Sequence, residues 1–362
     1  MKLVIDLRLI HNSGIGTYIK NVIPLIISGF GEVLVLGDPV IIKKFEWSKK
    51  LEIIPFRYKV YSFKEQLMLP VYIPKCDVFW TPHFNAPLLP IKATKRMVTI
   101  HDVNHLSNPA YFSYIKRLWA KVLYKNAVKR SDTICTVSKF SKSEILKFFT
   151  VDPHKINVVY CGVDQNFVKN VMVDSGLELP TNYFLFVGNV KPHKNLITLL
   201  KAYNQLTTEI KEKYKLVVLG RKEGFITQET AIFRYIEDNN LSKNIYFTGY
   251  VSDNLVSDVY KNATLFIFPS LYEGFGLPLL EAMSCGVPVL SSDMASLIEV
   301  GGEAVVYFNP KEANDLKENI VQLLDNQELR IKCVEKGFEQ IKKFSWQRSA
   351  DKHIIVLNNL YE

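Results

Sequence analysis

Short apolar runs alternate with helix-length segments along the chain. Each run is rich in β-branched and aromatic residues and ends at a polar or glycine-containing turn, which is typical of buried parallel strands. Twelve such runs occur, at residues 3–7, 32–37, 51–56, 78–82, 96–102, 133–138, 156–164, 183–189, 215–220, 244–250, 264–270 and 287–292. Since twelve strands exceed one ordinary sheet, the pattern predicts an α/β protein with two doubly wound parallel-sheet domains.

The same pattern indicates where the domains divide. Residues 165–182 have no clear hydrophobic period and contain Asp, Ser, Gly, Pro and Asn, as linkers do. We therefore expect a first domain over 1–170 and a second over 180–344. The amphipathic segment 345–362 is expected to form a helix that returns to the first domain.

The segment after the strand at 264–270 carries candidate chemistry. Its loop contains Glu273 and two glycines, Pro278 suits a first helical turn, and Glu281 follows eight residues after Glu273. A glycine loop that leads into a helix presents backbone N–H groups and a positive helix end, which bind phosphate. Carboxylates would repel a phosphate if they touched it, so Glu273 and Glu281 are better suited to accept hydrogen bonds from hydroxyls on either side of it. The unit therefore predicts a nucleotide-sugar site.

Composition narrows the class of protein. The 362 residues are 48% hydrophobic and 22% charged, as in globular proteins, and no run of 18 apolar residues occurs. The first residues form a strand with Asp6 and Arg8 and do not resemble a signal peptide. Five cysteines without a CxxC pair favour reduced thiols. We expect a cytoplasmic protein that can bind the inner face of the cytoplasmic membrane peripherally.

Positive charge is concentrated in the first half. Residues 1–178 hold 25 Lys and Arg against 14 Asp and Glu, whereas 179–362 hold 20 against 22. The excess centres on the basic, aromatic-rich helix predicted at 111–130. Such a helix can lie on an anionic membrane surface, or it can be a solvated helix with one face in the core. A nucleic-acid partner is not expected, because no recognisable nucleic-acid module accompanies it.

Together these features resemble glycosyltransferase family 4, retaining and metal-independent enzymes of the GT-B architecture, in which two Rossmann-like domains face a cleft. The resemblance covers nearly the whole chain. EGFGLPLLE matches the family's Glu-x7-Glu signature, which implies that Glu273 contacts the donor sugar and Glu281 the ribose. The N–H groups of Phe275, Gly276 and Leu277 would lie by the sugar and diphosphate.

The segment FVGNVKPHKNLITLLKAY (186–203) gives a second match. Lys194 stands where the family has a lysine that neutralises the donor diphosphate. Many members carry an arginine directly after the first glycine, and this chain has Asn189 there. Arg221 or Lys222, after the strand at 215–220, is expected to compensate for the missing cation.

Two N-terminal segments complete the resemblance. Gly14 and Gly16, after the first strand, form a second anion cradle that the family brings to the donor phosphates, although glycines also serve tight turns. His101 matches a histidine that contacts the donor sugar, and Asp102, its neighbour or orienter, is a candidate for acceptor contact or support. A histidine at a strand end is more often structural, and His83, placed similarly, is a candidate for acceptor contact or support. In the stretch 136–141, polar residues are expected to cap a helix that begins near Lys142.

The resemblance implies transfer of a hexose to a hydroxyl with retention, by a front-face mechanism. The opening IDLRLI…SGIGTY resembles a mannosyltransferase-like branch, so GDP-mannose is the first donor expected and UDP-sugars the next. The expected acceptor is a growing polysaccharide or a lipid-linked oligosaccharide. No metal is expected, because no DxD pair ends a strand. The alternatives are a nucleotide-sugar epimerase of the same architecture, a non-catalytic nucleotide-sugar-binding protein and a nucleic-acid binder.

Overall fold

The computed structural model of the chain describes residues 1–163, 167, 178–220 and 229–362. It divides into two compact units. Unit 1 comprises Met1–Gly162 and Phe344–Glu362, and unit 2 comprises Val163–Lys343. The last helix of the chain therefore belongs to unit 1.

Unit 1 is built on a parallel sheet with the strand order β3-β2-β1-β4-β5-β6-β7. Its strands are β1 (Lys2–Asp6), β2 (Glu32–Gly37), β3 (Glu52–Pro55), β4 (Cys76–Thr81), β5 (Ala93–Ile100), β6 (Thr133–Thr136) and β7 (Ile156–Val158). Its helices are α1 (Ser13–Ile26), α2 (Pro39–Ile42), α3 (Phe63–Tyr72), α4 (Asn104–Ser107), α5 (Tyr114–Arg130), α6 (Lys139–Phe148) and the C-terminal α15 (Trp346–Tyr361).

Unit 2 has a parallel sheet with the order β10-β9-β8-β11-β12-β13. Its strands are β8 (Tyr183–Val187), β9 (Lys215–Leu219), β10 (Ile245–Gly249), β11 (Leu265–Phe268), β12 (Val289–Ser292) and β13 (Val305–Phe308). Its helices are α7 (Leu196–Asn204), α8 (Thr208–Lys213), α9 (Glu229–Asp238), α10 (Asp253–Lys261), α11 (Leu277–Ser284), α12 (Ala295–Gly301), α13 (Ala313–Asp325) and α14 (Gln327–Ile341).

Strand register shows which helices share a face of the unit 1 sheet. Val4 is paired with Phe79, and both lie in the core cluster under α3. Phe79 is in turn paired with Arg96 of β5, and Val98, two residues further along β5, points to the same side of the sheet. Val98 belongs to the core cluster under α5. Because paired residues of parallel strands point to one face, α3 and α5 cover the same face. The opposite face carries Trp80 and Thr99 and is covered by α1 and α15.

The predicted pair of Rossmann-like parallel-sheet domains is confirmed, and each of the twelve predicted runs contains a strand. The prediction did not include β13. The helix expected near Lys142 begins three residues earlier, at Lys139. Ser138 caps it, with its hydroxyl accepting the Ser141 N–H at 2.9 Å.

Strand order reverses between β1 and β4 in unit 1 and between β8 and β11 in unit 2. In open parallel sheets, ligands bind beyond the carboxyl ends of the strands at such a reversal. Each of these four strands leads into a segment that holds predicted site residues, namely Gly14 and Gly16 after β1, His83 after β4, Asn189 and Lys194 after β8, and Glu273 after β11.

Candidate functional site

The loop from β11 to α11 requires a glycine directly before the helix. Gly276 has a φ of +115°, and a Cβ built on it would lie 2.7 Å from Leu297 Cδ2. A residue with a side chain would therefore be strained and would clash. Helix α11 begins at Leu277 with Pro278 in its first turn, and no acidic side chain lies in that turn. The start of α11 thus offers backbone N–H groups and a positive helix end to an anion.

Lys194 and Glu273 form an ion pair at this loop. The ammonium nitrogen of Lys194 lies 2.6 Å from Glu273 Oε1, and the two side chains are only 18% and 15% exposed. The same nitrogen lies 5.2 Å from the centroid of the Phe268 ring, at the end of β11. The backbone carbonyl of Glu273 accepts a hydrogen bond from Ser296 Oγ at 2.7 Å. A cation is therefore held beside the loop that leads into α11.

Asn195 fixes the loop that carries Lys194. It adopts the left-handed conformation, with φ 56° and ψ 35°, and its side chain is buried. Its amide nitrogen donates to the carbonyls of Pro269, at 3.0 Å, and Pro310, at 2.8 Å. Its amide oxygen accepts from Thr198 Oγ1 at 2.8 Å. These bonds join the loop after β8 to the loop after β11, which sets the position of Lys194 relative to Glu273.

Glu281 lies on the second turn of α11 and is oriented by a tyrosine. Tyr260 on α10 donates its hydroxyl hydrogen to Glu281 Oε2 at 2.8 Å. Burial raises the pKa of Tyr260 well above its ordinary value, and the neighbouring carboxylate raises it further. Tyr260 therefore remains a hydrogen-bond donor at neutral pH and fixes one oxygen of Glu281.

The other predicted donor residues of unit 2 lie around the same edge of the sheet. Asn189 is half-buried in the loop after β8, where its carbonyl accepts the Lys191 N–H at 2.8 Å. Phe275 is buried and Leu277 is the first residue of α11. The predicted compensation by Arg221 or Lys222 falls outside the described residues.

In unit 1, Gly14 and Gly16 differ in whether the surrounding structure has room for a side chain. A Cβ on Gly16 would lie 2.5 Å from the carbonyl oxygen of Ile10, so the first turn of α1 can approach the preceding loop only with glycine there. A Cβ on Gly14 would meet no atom within 4 Å. Asn12, the residue before the helix, makes no capping side-chain bond, and the first turn holds no acid. The helix start has the features of an anion cradle, and Gly14 leaves space in front of it.

His101 follows β5 and is held in one orientation. Its Nε2 lies 2.9 Å from the carbonyl oxygen of Pro82. Because a carbonyl can only accept, Nε2 carries the hydrogen, and Nδ1 of the neutral ring is an acceptor. The Ser141 hydroxyl donates to the His101 carbonyl at 2.9 Å. Burial lowers the pKa of His101 below its ordinary value, so the ring is neutral at pH 7.

Asp102 and His83 have structural partners. Asp102 Oδ1 accepts the N–H of Asn104 at 2.9 Å, at the start of α4, and no bond from Asp102 to the His101 ring is present. His83 is completely buried, and its Nδ1 accepts the Asn85 N–H at 3.2 Å. Direct contact with an acceptor would require the loop after β4 to move, and the supporting role of His83 stays a prediction.

The buried group around His83 is an ionic network at the carboxyl edge of the unit 1 sheet. Arg8 bonds to both oxygens of Asp6, at 2.8 and 2.5 Å, and also pairs with Glu65 on α3. Asn85 Nδ2 donates to both oxygens of Glu65, at 3.0 and 3.1 Å. Burial would raise the pKa of Asp6, but Arg8 and His83 outweigh it and hold that pKa well below its usual range. The network ties the loops after β1 and β4 to α3.

Two further observations concern other classes of site. Within the ranges that the structure describes, no group of three or more His, Cys, Asp or Glu side chains is placed to hold a metal ion. None of the helices in this part of the chain has both the length and the apolar character needed to cross a bilayer.

Two family models match the chain in succession. Residues 44–167 match the model described as Glycosyltransferase Family 4, and residues 168–340 match Glycosyl transferases group 1. The O-antigen chain mannosyltransferase B of Escherichia coli is 30% identical over 286 residues, which are 76% of this chain and 73% of the relative. The chain belongs to glycosyltransferase family 4. The family 4 resemblance seen in the sequence is confirmed, and the protein is a glycosyltransferase.

Further proteins are similar to this glycosyltransferase in sequence or in fold. The O-antigen chain mannosyltransferase RfbU of Salmonella typhimurium is 30% identical over 77% of this chain and 74% of its own length. Anabaena HepE, solved in complex with UDP-glucose, superposes with a TM-score of 0.80 at 17% identity, over 99% of this chain and 100% of HepE. WaaG, a glycosyltransferase involved in lipopolysaccharide biosynthesis, superposes with a TM-score of 0.75 at 16% identity, over 98% and 99% of the two chains. These structures confirm the GT-B fold class.

Several residues that shape the glycosyltransferase site were not found from the sequence. Asn195 fixes the loop that carries Lys194. Ser296 donates a hydrogen bond to the backbone of Glu273, and Tyr260 donates one to the carboxylate of Glu281. The role of Asn195 could have been predicted from the local sequence, since an asparagine at a helix start tolerates the left-handed conformation. No such indication was present in the sequence for Ser296 or Tyr260, because the partner of each lies in a different element of the fold.

Proposed function

We propose that this glycosyltransferase transfers a mannosyl residue from GDP-mannose to a hydroxyl of a polysaccharide or lipid-linked oligosaccharide, with retention and without a metal. Two relatives that cover about three quarters of the chain are described as O-antigen chain mannosyltransferases, which supports mannose as the sugar. UDP-sugars remain the second class of donor, because HepE was solved with UDP-glucose.

The observation that carries the proposal is the Lys194–Glu273 pair beside the start of α11. A nucleoside diphosphate needs positive charge where its bond to the sugar breaks, and Lys194 with the first N–H groups of α11 supplies it. The sugar on the other side of that bond needs acceptors for its hydroxyls, which Glu273 supplies. Glu281, eight residues on, would hold the ribose hydroxyls while Tyr260 fixes its second oxygen.

The reaction needs no protein nucleophile in this scheme. The oxygen of the acceptor hydroxyl bonds to the anomeric carbon on the face from which the diphosphate departs. The bond between that carbon and the β-phosphate oxygen breaks, and the same phosphate oxygen takes the hydroxyl proton. Charge builds on the leaving diphosphate, so Lys194 and the helix N–H groups act mainly in the transition state.

Unit 1 contributes the remaining proposed groups. The N–H groups at the start of α1, in front of Gly14 and Gly16, would bind the donor diphosphate. His101, with Nδ1 as an acceptor, would take a hydrogen bond from a hydroxyl of the donor sugar. A neutral histidine suits this contact, because the charge on the sugar ring in the transition state is positive.

The proposed acceptor surface is an anionic membrane bound through α5. Four large apolar side chains on this helix are exposed, namely Tyr114 (73%), Ile115 (78%), Leu118 (53%) and Val122 (41%). Six exposed cations accompany them, namely Lys116, Arg117, Lys121, Lys125, Lys129 and Arg130. Apolar groups surrounded by positive charge match an interface of acyl chains beneath anionic headgroups.

A second exposed stripe extends this surface. Phe63, Leu67 and Val71 are spaced four residues apart on α3 and are 70%, 47% and 69% exposed. Because α3 and α5 cover the same face of the unit 1 sheet, both stripes can lie against one bilayer. Attachment at two helices would hold unit 1 in a defined orientation on the surface.

The donor is tested by a thermal-shift screen of the intact protein against GDP-mannose, UDP-glucose, UDP-GlcNAc and dTDP-rhamnose. The true donor should raise the melting temperature as ligand occupies the folded state, and GDP-mannose is expected to give the largest shift. Release of nucleoside diphosphate with the membrane fraction as acceptor source then measures turnover.

Two variants test the site itself. Lys194→Ala and Glu281→Ala should each remove most of the thermal shift and the turnover. Lys336→Ala is the matched control, since Lys336 pairs with Glu303 at 2.7 Å on the surface, with 38% of its side chain exposed, and is outside the proposed site. Unchanged donor binding and turnover in both site variants would overturn the proposal.

A further inference from the structure

The C-terminal helix α15 reaches the neighbourhood of His101 through one buried tyrosine. His353, on α15, is completely buried and stacks on the Trp80 ring with a centroid distance of 5.1 Å. Its Nε2 lies 2.5 Å from the hydroxyl oxygen of Tyr18 on α1. These partners are 335 residues apart in the chain. The contact therefore joins the last helix of the chain to the first.

The position of each hydrogen in this link follows from its partners. His353 Nδ1 lies 2.7 Å from the carbonyl oxygen of Ser349, which can only accept, so Nδ1 carries the hydrogen. Burial lowers the pKa of His353 to about 4, so the ring is neutral and Nε2 is an acceptor. Tyr18 consequently donates its hydroxyl hydrogen to His353. Its hydroxyl oxygen lies 3.4 Å from Thr99 Oγ1, which accepts a bond from Trp80 Nε1 at 3.1 Å.

The ring of Tyr18 packs directly against His101. The two ring centroids are 4.8 Å apart and the planes are nearly perpendicular, at 88°. The Tyr18 ring limits rotation of the imidazole, while the Pro82 carbonyl holds Nε2. With the ring limited on one side and Nε2 bonded on the other, Nδ1 remains the acceptor position of His101. The orientation of His101 thus depends on a side chain that is itself held by α15.

We propose that Tyr18 and His353 are positioning residues that hold His101 with Nδ1 ready to accept a hydrogen bond from the donor sugar. This inference rests on the proposed function, because it assigns the chemistry to His101. Neither Tyr18 nor His353 needs to touch the substrate. The alternative is that the Tyr18–His353 bond only fastens α15 to unit 1, in which case its loss would affect stability and not the histidine.

Two substitutions of Tyr18 distinguish its hydrogen bond to His353 from its ring contact with His101. Tyr18→Phe keeps the ring against His101 and removes only the bond to His353, so kcat should fall a few-fold. Tyr18→Leu also removes the ring, and kcat should fall by roughly ten-fold or more, with the donor KM changed far less, because small misplacements of a reacting group are costly. Phe79→Leu is the matched control, since Phe79 is equally buried but lies on the opposite face of the sheet.

A double-mutant cycle identifies the residue through which Tyr18 acts. If Tyr18 acts through His101, Tyr18→Leu should have little further effect on kcat in a His101→Ala protein. An equal fall in kcat with and without His101, at matched thermal stability, would overturn the proposal. So would unchanged kcat in Tyr18→Leu.

A spectroscopic measurement separates failure of this inference from failure of the proposed function, because it needs no donor. In protein labelled with 15N-histidine, His101 should show the neutral tautomer with hydrogen on Nε2. In Tyr18→Leu, that tautomer should be partly lost, while Phe79→Leu should retain it. A full Nε2–H tautomer in Tyr18→Leu would overturn the positioning role even if the enzyme proved to use another donor.

Discussion

At the scale of single residues, Lys194 and Glu273 form an ion pair at the candidate site. Each group is assigned by the proposed function to a different part of the donor, and their charged atoms lie 2.6 Å apart. The pair keeps both side chains ordered and prevents either charge from being left alone in a site that is mostly buried. If the donor takes up both groups as proposed, its binding exchanges this ion pair for two new contacts.

This exchange gives the two residues opposite effects on nucleoside diphosphate binding. Lys194→Met should weaken binding of the free diphosphate, whereas Glu273→Gln should strengthen it by roughly five-fold, because the competing carboxylate charge is gone. Glu273→Gln should nevertheless lower kcat with the whole donor. Isothermal titration with the diphosphate and steady-state kinetics with the donor measure the two effects. Equal weakening of diphosphate binding in both variants would contradict the exchange.

At the scale of secondary-structure elements, the basic helix α5 has apolar side chains on both its buried and its exposed faces. The sequence indicated a basic helix with two possible uses, a membrane surface or a solvated helix with one face in the core. In the structure, Leu123, Tyr124 and Ala127 face the core. Ile115, Leu118 and Val122 lie on the exposed side, where a solvated helix would carry polar residues. These exposed apolar side chains are the observation on which the proposed membrane surface rests.

Vesicle binding tests α5. The protein should bind vesicles of phosphatidylcholine with phosphatidylglycerol more strongly than vesicles of phosphatidylcholine alone, and salt should weaken that binding. A protein with Ile115→Ser and Leu118→Ser should lose most of the binding. Lys116→Glu with Arg117→Glu should remove the preference for anionic lipid, since each cation near the surface contributes about 1 kcal/mol. Co-sedimentation measures each.

Val40→Ser provides the control for these α5 variants, because Val40 is 62% exposed but lies on α2. It should bind vesicles like the unaltered protein. Equal binding to neutral and anionic vesicles by the unaltered protein would argue against this surface.

At the scale of the whole molecule, buried histidines link the stability of unit 1 to pH. His83, His101 and His353 all belong to unit 1, and burial is the largest cause of the lowered pKa of each. A buried neutral histidine must gain a proton when the chain unfolds at low pH, so the unfolded state binds more protons. Stability contributed by these groups is complete above their unfolded pKa, near 6.5, and is lost as the pH falls towards the folded values.

Unit 1 should therefore lose stability between pH 6.5 and 4. For His353, whose pKa falls from 6.5 to about 4, the loss is roughly 3 kcal/mol. Urea unfolding followed by tryptophan fluorescence measures it, because the four tryptophans of the chain, at 47, 80, 119 and 346, all lie in unit 1. His353→Asn should reduce the pH dependence, whatever it does to stability at pH 7. An identical slope in that variant would contradict the assignment.

The amino-acid sequence alone was enough to predict the two parallel sheets and the groups at the ends of their strands. Alternation of apolar runs and helical segments reports which residues are buried, and Glu273, Gly276 and Glu281 lie within one strand–loop–helix unit. The side-chain pairs that orient those groups could be found only from the folded units. Lys194 meets Glu273 across 79 residues and Tyr18 meets His353 across 335. A local pattern shows that a side chain is covered, but the covering surface is chosen by packing of the whole unit.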